Sequence, residues 1–304
     1  MDRPLTAPSA PVAPRPVHDF YARRGTARWI GRGLRLLRGV APGLALRTAL
    51  RLFFTPLPSK LAARARPVPP GWTIEHLPFE GTRLAVWRRV EAKPGRPSVL
   101  LVHGWAGDAL QLRHLAEAVG QAGFEPVLVE FPGHGRSDGW RSTLPQFARA
   151  LFAVQARLGP WHGVVAHSLG ALAVAHAAAR GLAAGRLVLV AAPMPPAVVI
   201  EGFGQAFGLG TALSARMRAA IEAAEGVPLQ AFEPAWLGAQ VRQPALVVHD
   251  EDDRAAPIAW GHRLADALPG ARWLPTRGLG HRRVLDDEGV ARAVVGFLTE
   301  GDFH

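Results

Sequence analysis

The sequence predicts an α/β fold: a mostly parallel central sheet flanked by helices, with an inserted helical lid and an N-terminal helical extension. Three observations lead there. Short apolar runs such as Ser98–Val102, Val164–Ala166 and Leu187–Ala192 have the unbroken hydrophobicity of strands buried on both faces. They alternate with helix-length stretches, the pattern of parallel strands joined by crossovers. The chain of 304 residues is 49% hydrophobic and 19% charged, which is globular composition with ample material for one large core.

Residues 1–19, rich in proline and alanine, read as a disordered leader. They contain no apolar signal-peptide core. Residues 20–66 read as a basic amphipathic extension of one or two helices. Trp29, Ile30, Gly33, Leu34, Leu37 and Val40 form one rough stripe, and Leu46, Ala49, Leu50 and Phe53 form another, ended by Pro56 and Pro58. The net charge is +11, carried almost wholly by arginine, and between Phe20 and Ile74 there is no Asp or Glu. Such helices can lie on an anionic membrane or pack their stripe on the neighbouring domain. Nucleic acid is not an expected partner, because no recognition motif accompanies the charge.

Residues 70–304 form the main domain. Trp72–Phe79 and Thr82–Val90 make a hairpin around Glu80-Gly81. Ser98–Val102 is a strand, Ala109–Gln121 a helix, Glu125–Phe131 a strand and Leu144–Leu158 a helix. The strand Val164–Ala166 and its helix follow, then the strand Leu187–Ala192. Residues 194–243 interrupt the alternation and read as a lid, with Phe203, Phe207, Phe232 and Trp236 as candidate pocket residues. The alternation resumes with Ala245–His249, Ile258–Leu268, Ala271–Leu274 and a terminal helix near 287–299. No apolar run is long enough to span a membrane. The absence of cysteine excludes thiolate catalysis and Cys-based metal sites and suits a reducing cytoplasm. The cytoplasm, including the inner face of its membrane, is therefore the expected location. No H-x-x-x-H or H-E-x-x-H pattern occurs, so neither metal nor cofactor is expected.

The chemistry gathers at strand ends, where parallel sheets place their sites. Val164-Val165-Ala166 stops at His167-Ser168-Leu169-Gly170, followed by an alanine-rich helix. A strand feeding directly into a helix exposes the serine on a tight turn, the nucleophile elbow G-x-S-x-G, with Ala166 in place of the first glycine. A serine there also serves as a simple N-cap. Asp253 follows the next strand but one, within His249-Asp250-Glu251-Asp252-Asp253, and His281 follows the last strand, within Gly278-Leu279-Gly280-His281. Asp250 and Asp252 compete with Asp253, and His249, His262 and His304 compete with His281. His103 and His134 read as loop braces, and His167 as pointing away from the serine.

With its His103-Gly104-Trp105 turn, its Pro132-Gly133-His134-Gly135-Arg136-Ser137 loop, the Ser168 elbow and the Asp253 and His281 loops in that order, the chain resembles the α/β-hydrolase superfamily. The resemblance is to soluble bacterial serine hydrolases with a short cap. Departures are Ala166 for glycine, Asp250 where glycine is usual, and Glu130 where aspartate is common. The resemblance implies a nucleophile Ser168, a base His281, an acid Asp253 and an oxyanion hole built from the backbone N–H groups of Trp105 and Leu169. It implies hydrolysis of a carboxylic ester, a small-molecule acyl substrate, through an acyl-serine. The same residues would also serve an acyltransferase, a thioesterase or a lactonase, and the scaffold can carry a ligand-binding protein without turnover.

Overall fold

The computed structural model describes residues 25–56, 59–92 and 95–300. The segment read as a leader, residues 1–19, lies outside the described residues, as does His304. Three helices open the described chain: α1 (Gly25–Val40), α2 (Pro42–Phe53) and α3 (Ser59–Ala65). Pro42 suits the first turn of α2, where its missing N–H leaves nothing unpaired.

The hairpin follows as β1 (Trp72–Phe79) and β2 (Thr82–Arg89). Glu80 and Gly81 take φ of 44° and 72°, the left-handed pair that a two-residue hairpin turn requires. Next come β3 (Ser98–Val102), a 3₁₀ turn Ala109–Leu112 running into α4 (Arg113–Gln121), β4 (Glu125–Glu130), α5 (Leu144–Leu158), β5 (Trp161–His167), α6 (Leu169–Ala179) and β6 (Ala184–Val190). Thr143 caps α5 by accepting from the Gln146 N–H. After β6 the chain leaves the sheet for α7 (Pro196–Phe207), α8 (Gly210–Glu225), a 3₁₀ turn Leu229–Phe232 and α9 (Pro234–Gln240). It returns as β7 (Ala245–Asp250), α10 (Ile258–Ala267), β8 (Arg272–Thr276), the short α11 (Gly280–Arg283) and α12 (Glu288–Thr299).

The eight strands lie in the order β1-β2-β4-β3-β5-β6-β7-β8. β2 meets β1 and β4 antiparallel, and every later pairing is parallel. The apolar strands divide by alternation. Leu100, Val102, Val164, Ala166, Leu187 and Leu189 face the layer of α5, α6 and α9. Val99, Leu101, Val165, Val188 and Val190 face the layer of α4 and α12. Each fully buried Val or Leu contributes about 2 kcal/mol of burial free energy. α6 is buried from Gly170 to Ala178 on nearly every side, so it is built of small residues that let the sheet and the neighbouring helices approach. β6 begins at Ala184, three residues before its apolar run. Its entry, Ala184-Gly185-Arg186, runs beside Trp161–Gly163 of β5 with Gly185 exposed, so burial does not mark it.

The extension and the insertion share a separate core. Leu34 of α1 and Ala45 and Ala49 of α2 are buried with Ile200, Phe203, Phe207, Leu213, Met217 and Ile221 of α7 and α8. Gly31 lies so close to the Phe207 carbonyl that a Cβ would approach it to 3.0 Å. Of the stripe read on α1, Ile30, Leu34 and Leu37 pack on this neighbour, whereas Trp29, Gly33 and Val40 are exposed on another side of the helix.

Candidate active site

Because β3, β5, β6, β7 and β8 are parallel neighbours, their carboxyl ends share one edge, and the loops there hold the reactive side chains. Ser168 sits between β5 and α6 at φ 52°, ψ −124°, a strained backbone that drives its hydroxyl out of the sheet. Its N–H donates to the Val190 carbonyl (2.8 Å). Crowding explains the neighbouring glycines. A Cβ on Gly170 would lie 2.5 Å from the His103 carbonyl oxygen, and one on Gly104 would lie 2.6 Å from the Ser168 Cβ. Ala166 is a regular, fully buried β5 residue paired with Val102 and Leu189, so the position takes a methyl group without strain.

His281, at the start of α11, comes to the serine from the loop after β8. Its Nε2 lies 3.0 Å from Ser168 Oγ, and its Nδ1 lies 2.7 Å from Asp253 Oδ2. In this arrangement the serine hydroxyl donates to Nε2 and the Nδ1–H donates to the carboxylate. Asp253 is buried, and its other oxygen accepts the N–H groups of Ala255 and Ala256, both at 2.8 Å. Burial alone would push this carboxyl up. The hydrogen bonds from His249 and His281 and from the Ala256 N–H outweigh it and hold Asp253 well below the usual carboxylate range.

The competing residues have other places. Asp250 accepts the N–H of Gly280 (2.8 Å) and of Leu279 (3.0 Å), the Thr276 hydroxyl (2.8 Å) and the N–H of Asp252 (3.0 Å). It fastens the loop that presents His281. Burial opposes its charge, but these donors outweigh that cost and lower its pKa. His249 is fully buried, with Nε2 donating to the Ala256 carbonyl (2.8 Å) and lying 3.4 Å from Asp253 Oδ2. It approaches the same carboxylate oxygen as His281 does and has no hydrogen bond to the serine. His262 is exposed and pairs with Asp266. His167 turns toward the His281 loop, its Nε2 donating to the His281 carbonyl (2.8 Å) and its ring 4.7 Å from the His281 ring. Burial, and then the neighbouring His281 charge, push its pKa down to about 3.

Trp105 follows the crowded Gly104, and Leu169 opens α6, so its N–H has no partner within that helix. Both residues border the cavity at Ser168. The turn carrying Trp105 is closed by Gly107 N–H to the Gly104 carbonyl (3.1 Å) and braced from below. His134 Nε2 accepts from the Ala106 N–H (3.1 Å), and its Nδ1 donates to the Pro132 carbonyl. His103 Nε2 accepts from the Phe131 N–H (3.1 Å) while its Nδ1 donates to the Gly104 carbonyl. Burial keeps both neutral, His103 at about 4 and His134 well below the ordinary value. Glu130 receives the N–H groups of Ala109 and Arg136, and the glycine loop wraps it so closely that Gly135 has no room for a Cβ.

Ser168 opens into a cavity of about 540 Å³ lined by Phe53, Phe54, Trp105, Leu144, Met194, Val199, Ile200, Ile221 and Leu229, with Arg282 and Arg283 also on its border. Phe203, Phe207, Phe232 and Trp236 are not in its wall. Phe203 and Phe207 pack in the core shared with the extension, Phe203 edge-on to Phe53 at 5.2 Å. Phe232 lies tilted against His176 at 4.4 Å, and Trp236 stacks on it at 5.7 Å.

The family described as the alpha/beta hydrolase fold matches residues 97–239, and a second, described as TAP-like protein, matches residues 222–304. The chain belongs to the α/β-hydrolase superfamily. A curated relative, 2-succinyl-6-hydroxy-2,4-cyclohexadiene-1-carboxylate synthase of Escherichia coli O157:H7, is 33% identical over 96 residues, 30% of this chain and 36% of that one. The match thus spans about a third of the relative's length. Among solved structures, Est1E from Butyrivibrio proteoclasticus with ferulic acid bound superposes with a TM-score of 0.60 at 19% identity, over 76% of this chain and 100% of that one. An esterase from Rhodococcus sp. ECU1013 gives 0.55 at 20% identity, over 76% and 99%. At these identities the likeness is one of fold. In this α/β-hydrolase, sequence reasoning missed Asp250 as the staple of the His281 loop, and it missed Phe53 and Phe54 as cavity wall. In sequence a strand-end carboxylate looks the same whether it staples a loop or serves as an acid, so the first has no separate signal. Nothing local signals the second.

Proposed function

We propose that the chain is a serine hydrolase cleaving a carboxylic ester with an apolar acyl group through an acyl-Ser168 intermediate. The observation that carries this reading is the unbroken relay from Asp253 Oδ2 to His281 (2.7 Å) to Ser168 Oγ (3.0 Å), opening on an apolar cavity. Ser168 Oγ attacks the carbonyl carbon as its proton passes to His281 Nε2. Asp253 stabilises the imidazolium and fixes its tautomer. The N–H groups of Trp105 and Leu169 receive the developing oxyanion. On collapse, Nε2–H protonates the departing alcohol. Water, deprotonated by the same nitrogen, then attacks the acyl-enzyme, and the carboxylic acid leaves with Ser168 restored.

Ser168→Ala should lower turnover of a chromogenic ester by about 10,000-fold or more while the fold is retained. A fluorophosphonate should label Ser168 in the native chain and far more slowly in His281→Ala. Equal labelling of the two proteins would remove His281 as the base. Hydrolysis surviving in Ser168→Ala would remove the whole reading. Transfer to an added alcohol, amine or thiol in preference to water would change the class to acyltransferase.

A further inference from the structure

Helix α1 has two apolar faces, and the shared core uses one. Leu34 is buried there, with Ile30 and Leu37 half-buried beside it. On the other side Trp29, Leu36 and Val40 are 71%, 72% and 75% exposed. With Gly33 they recur at steps of four, three and four residues, which on an α-helix is a single straight row. Isolated exposed apolar side chains are ordinary on a protein surface, but a continuous row that includes a tryptophan marks a contact surface. The row ends at Val40, and the exposed Leu44 follows just past the turn at Ala41.

Cations border this row. The Arg32 guanidinium lies 4.9 Å from the centre of the Trp29 ring. Arg47 and Arg51 are exposed on α2, three and seven residues after Leu44 and so on the same side of that helix. No Asp or Glu occurs anywhere from Phe20 to Ile74.

We propose that this face docks on the surface of an anionic phospholipid bilayer. Trp29, Leu36, Val40 and Leu44 would enter the boundary between headgroups and acyl chains, and Arg32, Arg47 and Arg51 would meet lipid phosphates. Charge selects this partner. A second copy would cover the row but bring arginines against arginines, and a nucleic acid would pair the arginines but leave the row in water. Only an anionic, amphiphilic surface satisfies both. No described helix is long and apolar enough to cross a membrane, so the contact is interfacial. The inference stands on these helices alone, whatever Ser168 acts upon.

Deleting the extension would strip Phe203 and Phe207 of their partners, so point changes on the outer face are the test. Full-length protein is sedimented with sucrose-loaded vesicles of phosphatidylcholine alone, or with about 30% phosphatidylglycerol, at about 0.1 M salt. The native chain should pellet with the phosphatidylglycerol vesicles and weaken about tenfold or more at about 0.5 M salt. The double variant W29S/L36E should lose about tenfold or more in partitioning, with turnover of a soluble short-chain ester unchanged. Ser168→Ala should partition like the native chain, which separates this result from the fate of the hydrolase reading. Three results would overturn the proposal: native protein remaining in the supernatant, W29S/L36E pelleting as the native chain does, or a native dimer in solution that W29S/L36E converts to monomer.

Discussion

Asp250 shows how a carboxylate that never meets substrate can govern a reaction. Three of its four hydrogen bonds reach Thr276, Leu279 and Gly280, the residues that lead into His281. Asp250→Ala should leave those donors unpaired and let the imidazole drift. The expected cost is about 10–100-fold in kcat/KM, carried by kcat, with slow fluorophosphonate labelling of Ser168 preserved. Loss as complete as in His281→Ala would make Asp250 part of the proton relay instead. Gly104 makes a second argument of the same kind. Any Cβ there strikes the Ser168 Cβ at 2.6 Å and the His167 carbonyl at 3.0 Å, so Gly104→Ala must displace the turn bearing Trp105. Turnover should fall by about 100-fold or more if that turn supplies an oxyanion donor. A near-native kcat for Gly104→Ala would argue that the donor lies elsewhere.

At the scale of elements, α2 both supports the cap and walls the cavity. Phe53 touches Phe54 and Phe203 edge-on, each at 5.2 Å, and both Phe53 and Phe54 border the space above Ser168. Phe53→Ala should open room for longer acyl chains, shifting the preferred ester length upward, and should cost about 2 kcal/mol of stability. An unchanged chain-length profile would show that acyl groups bind in another part of the cavity. Elements with their own local signals were legible in the sequence. The Glu80-Gly81 turn marked the hairpin, and the apolar β5 run stopping at Ser168 marked the elbow. The Asp253 and His281 loops were legible from their order after successive strands, and the His281 loop also from Gly278 and Gly280. The cavity wall was not. Aromatic content pointed to Phe203 and Phe207, yet their rings meet α1 and α2, about 150 residues earlier in the chain, and no local pattern encodes such a pairing. Asp250 was misleading for the opposite reason: a strand-end carboxylate resembles an acid catalyst until its four donors are seen.

Over the whole molecule, a set of buried histidines ties stability to pH. His103 (about 4), His167 (about 3), His134 and His176 all have pKa values lowered chiefly by burial. The unfolded chain takes up protons on these groups near pH 6.5, where the folded chain does not. Unfolding therefore binds protons, and folding stability falls as pH drops from about 6.5 toward 4. Each group contributes up to about 1.4 kcal/mol per pH unit within its window. Asp250 and Asp253, whose pKa values are lowered, add to the loss only below about pH 4. Urea midpoints measured from pH 7 to 4.5 should decline steadily, and His176→Phe should flatten that slope. A midpoint independent of pH over this range would refute the account. The shared core of extension and insertion also sets an order on synthesis. α1 and α2 are made well before the surface that receives them, Ile200 to Leu229, and α9 and β7 to α12 are made after it. Until then a basic, two-sided amphipathic pair is held out in solution, and Asp253 and His281 do not yet exist. The nascent chain must carry this apolar surface uncovered until Leu229 is made, and the proposed relay can assemble only once His281 has followed.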